Sequence, residues 1–330
     1  MRTPTADVPA GTSQGEDAKL DRARGCLIGQ IAGDSLGSLV EFQSPEDIRS
    51  LYPHGVRDLE DGGAFDTLAG QPTDDSEMAL ALARTLIARG TYDPEAANRA
   101  YREWLDSDPF DCGLTIRDGL LGSPRHESQA NGALMRIGPL GIFGSRHRLD
   151  VVARWAREDA RLTHPNRVCL DANALFAMAL AHAIDSGPTP RELYERMAAW
   201  ANEGEICPEV RACVEEAAGP PDDYMTHMGW VLIALRNALW QLRHAPSLEE
   251  GVVDSVMRGG DTDTNAAICG ALLGAVHGLR AIPARWTRAI LRCRPEANRP
   301  GVKRPRPSTY WPIDALDLAA QLLRSEPPAT

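Results

Sequence analysis

Two short acidic stretches carry residue types that could do chemistry. Pro72-Thr73-Asp74-Asp75-Ser76-Glu77 precedes the apolar run MALALARTLIA, and Gly259-Gly260-Asp261-Thr262-Asp263-Thr264 precedes NAAICGALLGAVHG. Each sets Thr and Asp at the start of a predicted helix. Capping needs one such residue, because a single Asp, Ser or Thr oxygen accepts from the free N–H groups of the first turn and a negative charge suits the positive helix end. Here each stretch offers two Asp and at least one Thr within four positions. Crowded carboxylates repel one another unless a cation neutralises them. Asp74, Asp75, Asp261 and Asp263 supply four negative charges, the number that balances two divalent ions. All-oxygen donors with threonine hydroxyls suit Mg²⁺ or Mn²⁺ better than Zn²⁺.

The elements that must position these stretches read as helices. Few segments alternate with period two, and most show helical spacing rich in Ala, Leu, Arg and Glu. The spacing predicts helices over Asp21–Leu39, Ser76–Arg89, Pro94–Leu105, Leu149–Ala160, Asp171–Ile184, Gly229–Arg243, Leu248–Arg258, Thr264–Leu279 and Ile313–Leu323. Two of them are odd. Gly25, Gly29, Gly33 and Gly37 recur every four residues, as do Gly270, Gly274 and Gly278. A helical glycine costs about 1 kcal/mol against alanine. Close approach of a neighbouring backbone is the compensation, so the two glycine-faced helices are expected at the centre, against each other. No boundary or repeat separates them. One all-α domain over residues 21–330 is expected, behind a disordered leader over residues 1–20, with residues 202–223 an insertion or lid.

Composition bounds the function. Hydrophobic residues make up 43% and charged residues 25%, as in a soluble globular protein. No run of 18 apolar residues suggests a membrane span, and the N-terminus lacks a signal-peptide pattern. The net charge of −11 argues against a nucleic-acid partner and suits a cation-holding enzyme. Cys26, Cys112, Cys169, Cys207, Cys213, Cys269 and Cys293 are scattered without a CxxC, which reads as idle thiols in a reducing, cytoplasmic compartment. Two other acid-rich helical classes fit poorly. A class I terpene synthase needs DDxxD and an aromatic-lined pocket, yet Asp75 is followed by Ser76-Glu77-Met78 and only 5% of the chain is aromatic; a His-Asp phosphohydrolase needs a His-Asp pair, and no histidine precedes Asp.

The motifs taken together resemble a known family. Arg24-Gly25, Gly33-Asp34-Ser35-Leu36-Gly37 and Val40-Glu41-Phe42 look like the opening of ADP-ribosylglycohydrolases. Thr73-Asp74-Asp75-Ser76 resembles their TDDT element, with Ser for Thr. Asn131-Gly132-Ala133-Leu134-Met135-Arg136 resembles their NGxxMR loop, Thr163-His164-Pro165 their THP element, and Gly259 to Thr264 their GGDTDT signature. The motifs lie in family order over roughly residues 21–285. The resemblance implies an all-α fold with a binuclear Mg²⁺ or Mn²⁺ centre held by Thr73, Asp74, Asp75, Asp261, Asp263 and Thr264, with Thr262 a cap. It also implies that Glu41 meets the water or scissile bond. Asn131, Gly132 and His164 would hold the pyrophosphate and adenosine. Gln129-Ala130 stands where some relatives carry an aromatic, so Trp230, at a position usually Tyr, is expected to stack on adenine.

Cleaving an N-glycosidic bond passes through an oxocarbenium-like state. A carboxylate near C1 stabilises it or positions the water, and Glu41 is the candidate. Asp111 resembles an Asp of arginine-directed members; a carboxylate pairs with a guanidinium in a bidentate way. Asp34 either holds a bound water or makes a helix-terminal hydrogen bond. Arg136 is expected in a structural ion pair. The reading is a hydrolase that frees ADP-ribose from a protein side chain, arginine before serine, reversing an ADP-ribosyltransferase. Alternatives are hydrolysis of a small-molecule or nucleic-acid adduct, and an immunity protein that neutralises an ADP-ribosyltransferase toxin, with the leader reaching into the toxin's cleft. A purely structural descendant would have lost ligands, and all six are present.

Overall fold

The computed structural model describes residues 11–325. Among them are fifteen α-helices and no strand. They are α1 (Gly11–Gly37), α2 (Pro45–Leu51), α3 (Asp74–Arg89), α4 (Pro94–Asp106), α5 (Leu114–Leu120), α6 (Gly138–Gly144), α7 (Leu149–Arg161) and α8 (Arg167–Ser186), followed by α9 (Pro190–Glu203), α10 (Pro208–Glu216), α11 (Val231–His244), α12 (Leu248–Met257), α13 (Thr262–His277), α14 (Ala284–Arg292) and α15 (Ala315–Leu322). All fifteen contribute side chains to one continuous apolar cluster. The helix α8 is apolar and long enough to cross a membrane, but it is mostly buried inside the protein.

The glycine faces meet as expected. A Cβ built on Gly25, Gly29 or Gly33 would strike the backbone of Gly274, Gly270 or Ala266, and one on Gly37 would strike Asp263. The pairing runs in opposite directions along the two chains, so α1 and α13 are antiparallel with their backbones in contact. This seam sets the site: Gly37, at the end of α1, is pinned beside Asp263, at the start of α13. Thr262 closes the joint by donating its hydroxyl to the Gly37 carbonyl at 2.7 Å, so it caps the end of α1.

Three expectations need correction. Helix α1 starts at Gly11, so residues 11–20, expected as disordered leader, are helical; Lys19 ties this turn to Asp185 at 2.7 Å. Residues 1–10 lie outside the described residues. Six helices escaped the periodicity: α2, α5, α6, α9, α10 and α14. Finally, the insertion or lid over 202–223 contains α10, whose Val210, Cys213 and Val214 are buried, so that part is core rather than flap.

Candidate active site

Helix α3 opens with Thr73 as its N-cap, yet the Thr73 side chain makes no cap hydrogen bond. Asp34 of α1 does that work across the core. Its Oδ1 accepts from Thr73 N at 3.0 Å and from Thr73 Oγ1 at 2.9 Å, and its Oδ2 accepts from Ser76 N at 3.1 Å. Of the two roles open to Asp34, it fills the helix-terminal one, at another helix. Asp74 and Asp75 are thereby spared from capping. At the second stretch, the Asp261 side chain makes no cap bond either; it accepts from Asn131 Nδ2 at 2.7 Å.

The stretches face each other across one cavity of about 260 Å³. Its walls include Glu41, Asp74, Asp111, Asp261, Asp263 and Thr264, together with Asn131, Gly132 and His164, and no Lys or Arg lines it among the described residues. Carboxylate oxygens of Glu41, Asp111 and Asp263 lie within 4.8 Å of one another. Thr73 and Asp75 sit just behind this wall: Asp75 Oδ2 is 3.4 Å from both the Thr73 and Thr264 hydroxyls. Asp75 Oδ1 and Glu41 Oε2 are buried without any donor.

The electrostatics follow from this crowding. Burial, then Asp111 and Asp75, push Asp74 well above the usual carboxylate range. Burial, then Glu41 and Asp75, do the same to Asp263, and burial with Asp34 and Asp261 to Asp75. Glu41 is pushed up to about 9 by burial and by Asp111 and Asp261. Burial raises Asp111 as well. Five acids line the cavity, a sixth, Asp75, sits behind them, and no cationic side chain lines it; such a site gains by taking up positive charge.

Glu41 owes its aim to a strained neighbour. Phe42 has φ +66°, a left-handed value that a bulky residue seldom adopts. The strain is held by Phe42 N donating to Gly260 O at 2.9 Å and Gly260 N to Gln43 O at 3.1 Å. The turn buries Glu41 and leaves Phe42 58% exposed at the cavity mouth, beside Leu114 at 63%.

Behind His164, outside the cavity lining, Arg136 is in the expected structural pair. It is fully buried, donates to Asp159 at 3.0 Å and lies over the Tyr101 ring. Its Nη1 also donates to Thr163 Oγ1 at 3.0 Å, and that oxygen lies 2.7 Å from His164 Nδ1. Since Thr163 already accepts from a guanidinium, its proton goes to Nδ1, leaving the His164 Nε2–H tautomer. Burial and Arg136 lower the imidazole to about 3, so it is neutral. Its Nε2 is buried and has no protein partner.

Trp230 stands apart from this cavity. It lines an adjoining groove with Gln129, Ala130, His227, Met228 and Gly229, three of which also line the first. The Trp230 indole donates to Gln129 Oε1 at 2.8 Å, so Gln129 fixes the ring.

The sequence reading missed one group. Arg306 is buried and pairs with Glu77 at 2.8 Å, while Trp104 Nε1 donates to the same carboxylate at 2.8 Å. Arg306 also donates to the carbonyls of Ser107 and Asp108 at 2.8 and 3.1 Å, bracing the turn that leads to Asp111. Glu77 is therefore structural.

Comparison with known proteins agrees with this geometry. The family model for ADP-ribosylglycohydrolase matches residues 15–320. ADP-ribosyl-[dinitrogen reductase] glycohydrolase of Rhodospirillum rubrum is 30% identical over 290 residues, covering 81% of this chain and 89% of that protein. ADP-ribosylarginine hydrolase Tri1 of Pseudomonas putida is 28% identical, covering 82% and 74%. A solved structure described as an ADP-ribosylglycohydrolase-related protein complex superposes with a TM-score of 0.77 at 29% identity, covering 94% of this chain and 99% of that one.

Proposed function

This chain belongs to the ADP-ribosylglycohydrolase family, and from that premise we propose that it is a metal-dependent hydrolase of ADP-ribosylarginine on proteins. Membership makes it a hydrolase that removes ADP-ribose from modified substrates. The observation that carries the finer reading is the ring of buried acids without a cationic side chain, in which Asp75 Oδ1 and Glu41 Oε2 have no donor.

Such a donor set fits hard divalent cations. Thr73, Asp74, Asp75, Asp261, Asp263 and Thr264 are assigned as the holders of two Mg²⁺ or Mn²⁺ ions. When bound, the ions supply neutralisation of the acids and Lewis acidity toward ribose hydroxyls and water.

The remaining groups divide the substrate among them. Glu41 faces the anomeric carbon, where its carboxylate stabilises the oxocarbenium-like state and orients the attacking water. Asp111 pairs with the leaving guanidinium. The C–N bond breaks, the water oxygen joins the anomeric carbon, and its proton ends on the released arginine. Neutral His164 donates Nε2–H to the pyrophosphate beside Asn131 and Gly132. Trp230, in the adjoining groove, stacks on adenine. The seven free cysteines support a reducing compartment, and a cytoplasmic location is part of this reading.

The test is release of ADP-ribose from a protein modified on arginine, with Mg²⁺, with EDTA, and for Asp263→Ala. Release that needs the ion and fails in the variant is expected. An intact substrate under all three conditions would overturn the arginine assignment, and release that EDTA leaves unchanged would overturn the metal assignment.

A further inference from the structure

The whole-chain charge hides a segregated patch. Residues 280–306 hold nine cations and a single acid, Glu296, a net of +8, while the rest of the chain carries −19. Three of the nine are neutralised: Arg280 by Asp21, Arg285 by Asp58 and Glu249, and Arg306 by Glu77. The other six are Arg288, Arg292, Arg294, Arg299, Lys303 and Arg304. All are exposed, and none forms an ion pair among the described residues. On α14, Arg285, Arg288 and Arg292 fall at helical spacing on the face opposite the buried Trp286 and Ile290.

The patch adjoins the loops that lead to Thr73 and Asp111. Gly70 packs so tightly on α14 that a Cβ there would lie 2.8 Å from Ile290 N. Arg304 donates to Phe65 O at 2.7 Å, and its own carbonyl accepts from Gln71 Nε2 at 2.7 Å, two residues before Thr73. The Phe65 ring packs on Phe110 with centroids 5.6 Å apart, and Asp111 follows directly.

Six cations without an ion pair among the described residues, in a protein of net charge −11, repel one another. A complementary anionic surface relieves this and speeds encounter. We infer that this basic face docks an acidic protein surface next to the ADP-ribosylated residue, so that substrates are chosen by the charge around the modified side chain. The inference rests on the arginine-hydrolase reading above. A protein is favoured over nucleic acid on two grounds. No large apolar side chain is exposed within residues 280–306, so stacking on bases is missing. The −19 on the remainder opposes a long polyanion but not a local acidic patch.

Three substrates test this: free ADP-ribosylarginine, an ADP-ribosylarginine peptide flanked by aspartates, and the same peptide flanked by serines. The wild type is expected to favour the acid-flanked peptide in kcat/KM by about tenfold at low salt, and to lose that preference near about 0.5 M NaCl. Arg288→Glu combined with Arg292→Glu and Arg299→Glu is expected to abolish the preference and leave free ADP-ribosylarginine unchanged. Equal rates on both peptides in the wild type, or a preference that survives charge reversal, would overturn the inference. So would an ADP-ribosylated DNA duplex that outcompetes the acid-flanked peptide. Fluorescence anisotropy of the unmodified acid-flanked peptide reads the surface alone. Salt-sensitive binding there, lost on charge reversal, supports the docking face even if no substrate is cleaved, in which case only the hydrolase reading fails.

Discussion

The two acidic stretches open helices in the same way but are released from capping in different ways. At α3 the relief comes from afar: Asp34, on another helix, accepts from Thr73 and Ser76, while Glu77 is held by Arg306, 229 positions along the chain. At α13 the relief is local to the seam. Thr262 is spent on the Gly37 carbonyl, and Asp261 is oriented by Asn131. In both, the Asp side chains keep oxygens beyond those spent on backbone or amide donors, and Asp75 Oδ1 has no donor at all. The first stretch depends on distant single residues and should be the more fragile. The second depends on a long backbone contact.

The largest expected effect strikes the first stretch. Arg306→Ala leaves Glu77 buried and unpaired, at a cost of about 3–5 kcal/mol in chemical unfolding. Glu77→Leu combined with Arg306→Met should restore most of the stability, and recovery of activity as well would show that the pair has no part in placing Asp111. Next comes the seam. Gly29→Ala drives a methyl into Gly270 O and should cost about 1–3 kcal/mol. Gly219→Ala, with open space around it, should change stability by less than about 1 kcal/mol; equal effects at the two glycines would remove the seam from the account.

A smaller effect is expected at Asp34. Asp34→Asn keeps the shape but loses one charged acceptor, and should weaken Mn²⁺ affinity about 10- to 100-fold while Gly29→Ala lowers stability more than affinity. The smallest effect is the pH linkage. Burial raises Asp34 to about 6 and Glu41 to about 9, from 3.8 and 4.5. Between those values the folded metal-free chain binds more protons than the unfolded one, so its stability falls as pH rises from about 4 toward about 9. Cations hold the acids ionised and cancel that loss. The gain in thermal midpoint from Mg²⁺ should therefore be larger at pH 8 than at pH 5.5, by roughly 2–4 °C for each kcal/mol recovered. An equal gain at both pH values would place the ions elsewhere.

What was legible in the sequence tracks how local the signal is. Glycines at every fourth position announced the α1–α13 contact because only close backbones make use of them. The acidic helix starts were visible for the same reason. Helix α9 was missed although its signal was present, a Thr189–Glu192 capping box with Pro190 in the first turn. Helix α6, GPLGIFG, carries no such signal: three glycines and a proline are poor helix formers, and its burial at all seven positions imposes the conformation. Arg306 had no local cue either, since its partner Glu77 is distant in sequence. The basic face was obscured by averaging, because −11 is a sum over regions of opposite sign.

The central claim is that the buried acids hold two divalent ions and that hydrolysis depends on them. Calorimetric titration of Mn²⁺ into the wild type and Asp75→Asn, with ADP-ribose release measured on the same samples, tests it most directly. Two ions per chain in the wild type, with binding and release lost together in the variant, is the predicted result. Release that proceeds undiminished in a sample that binds no Mn²⁺ would contradict it.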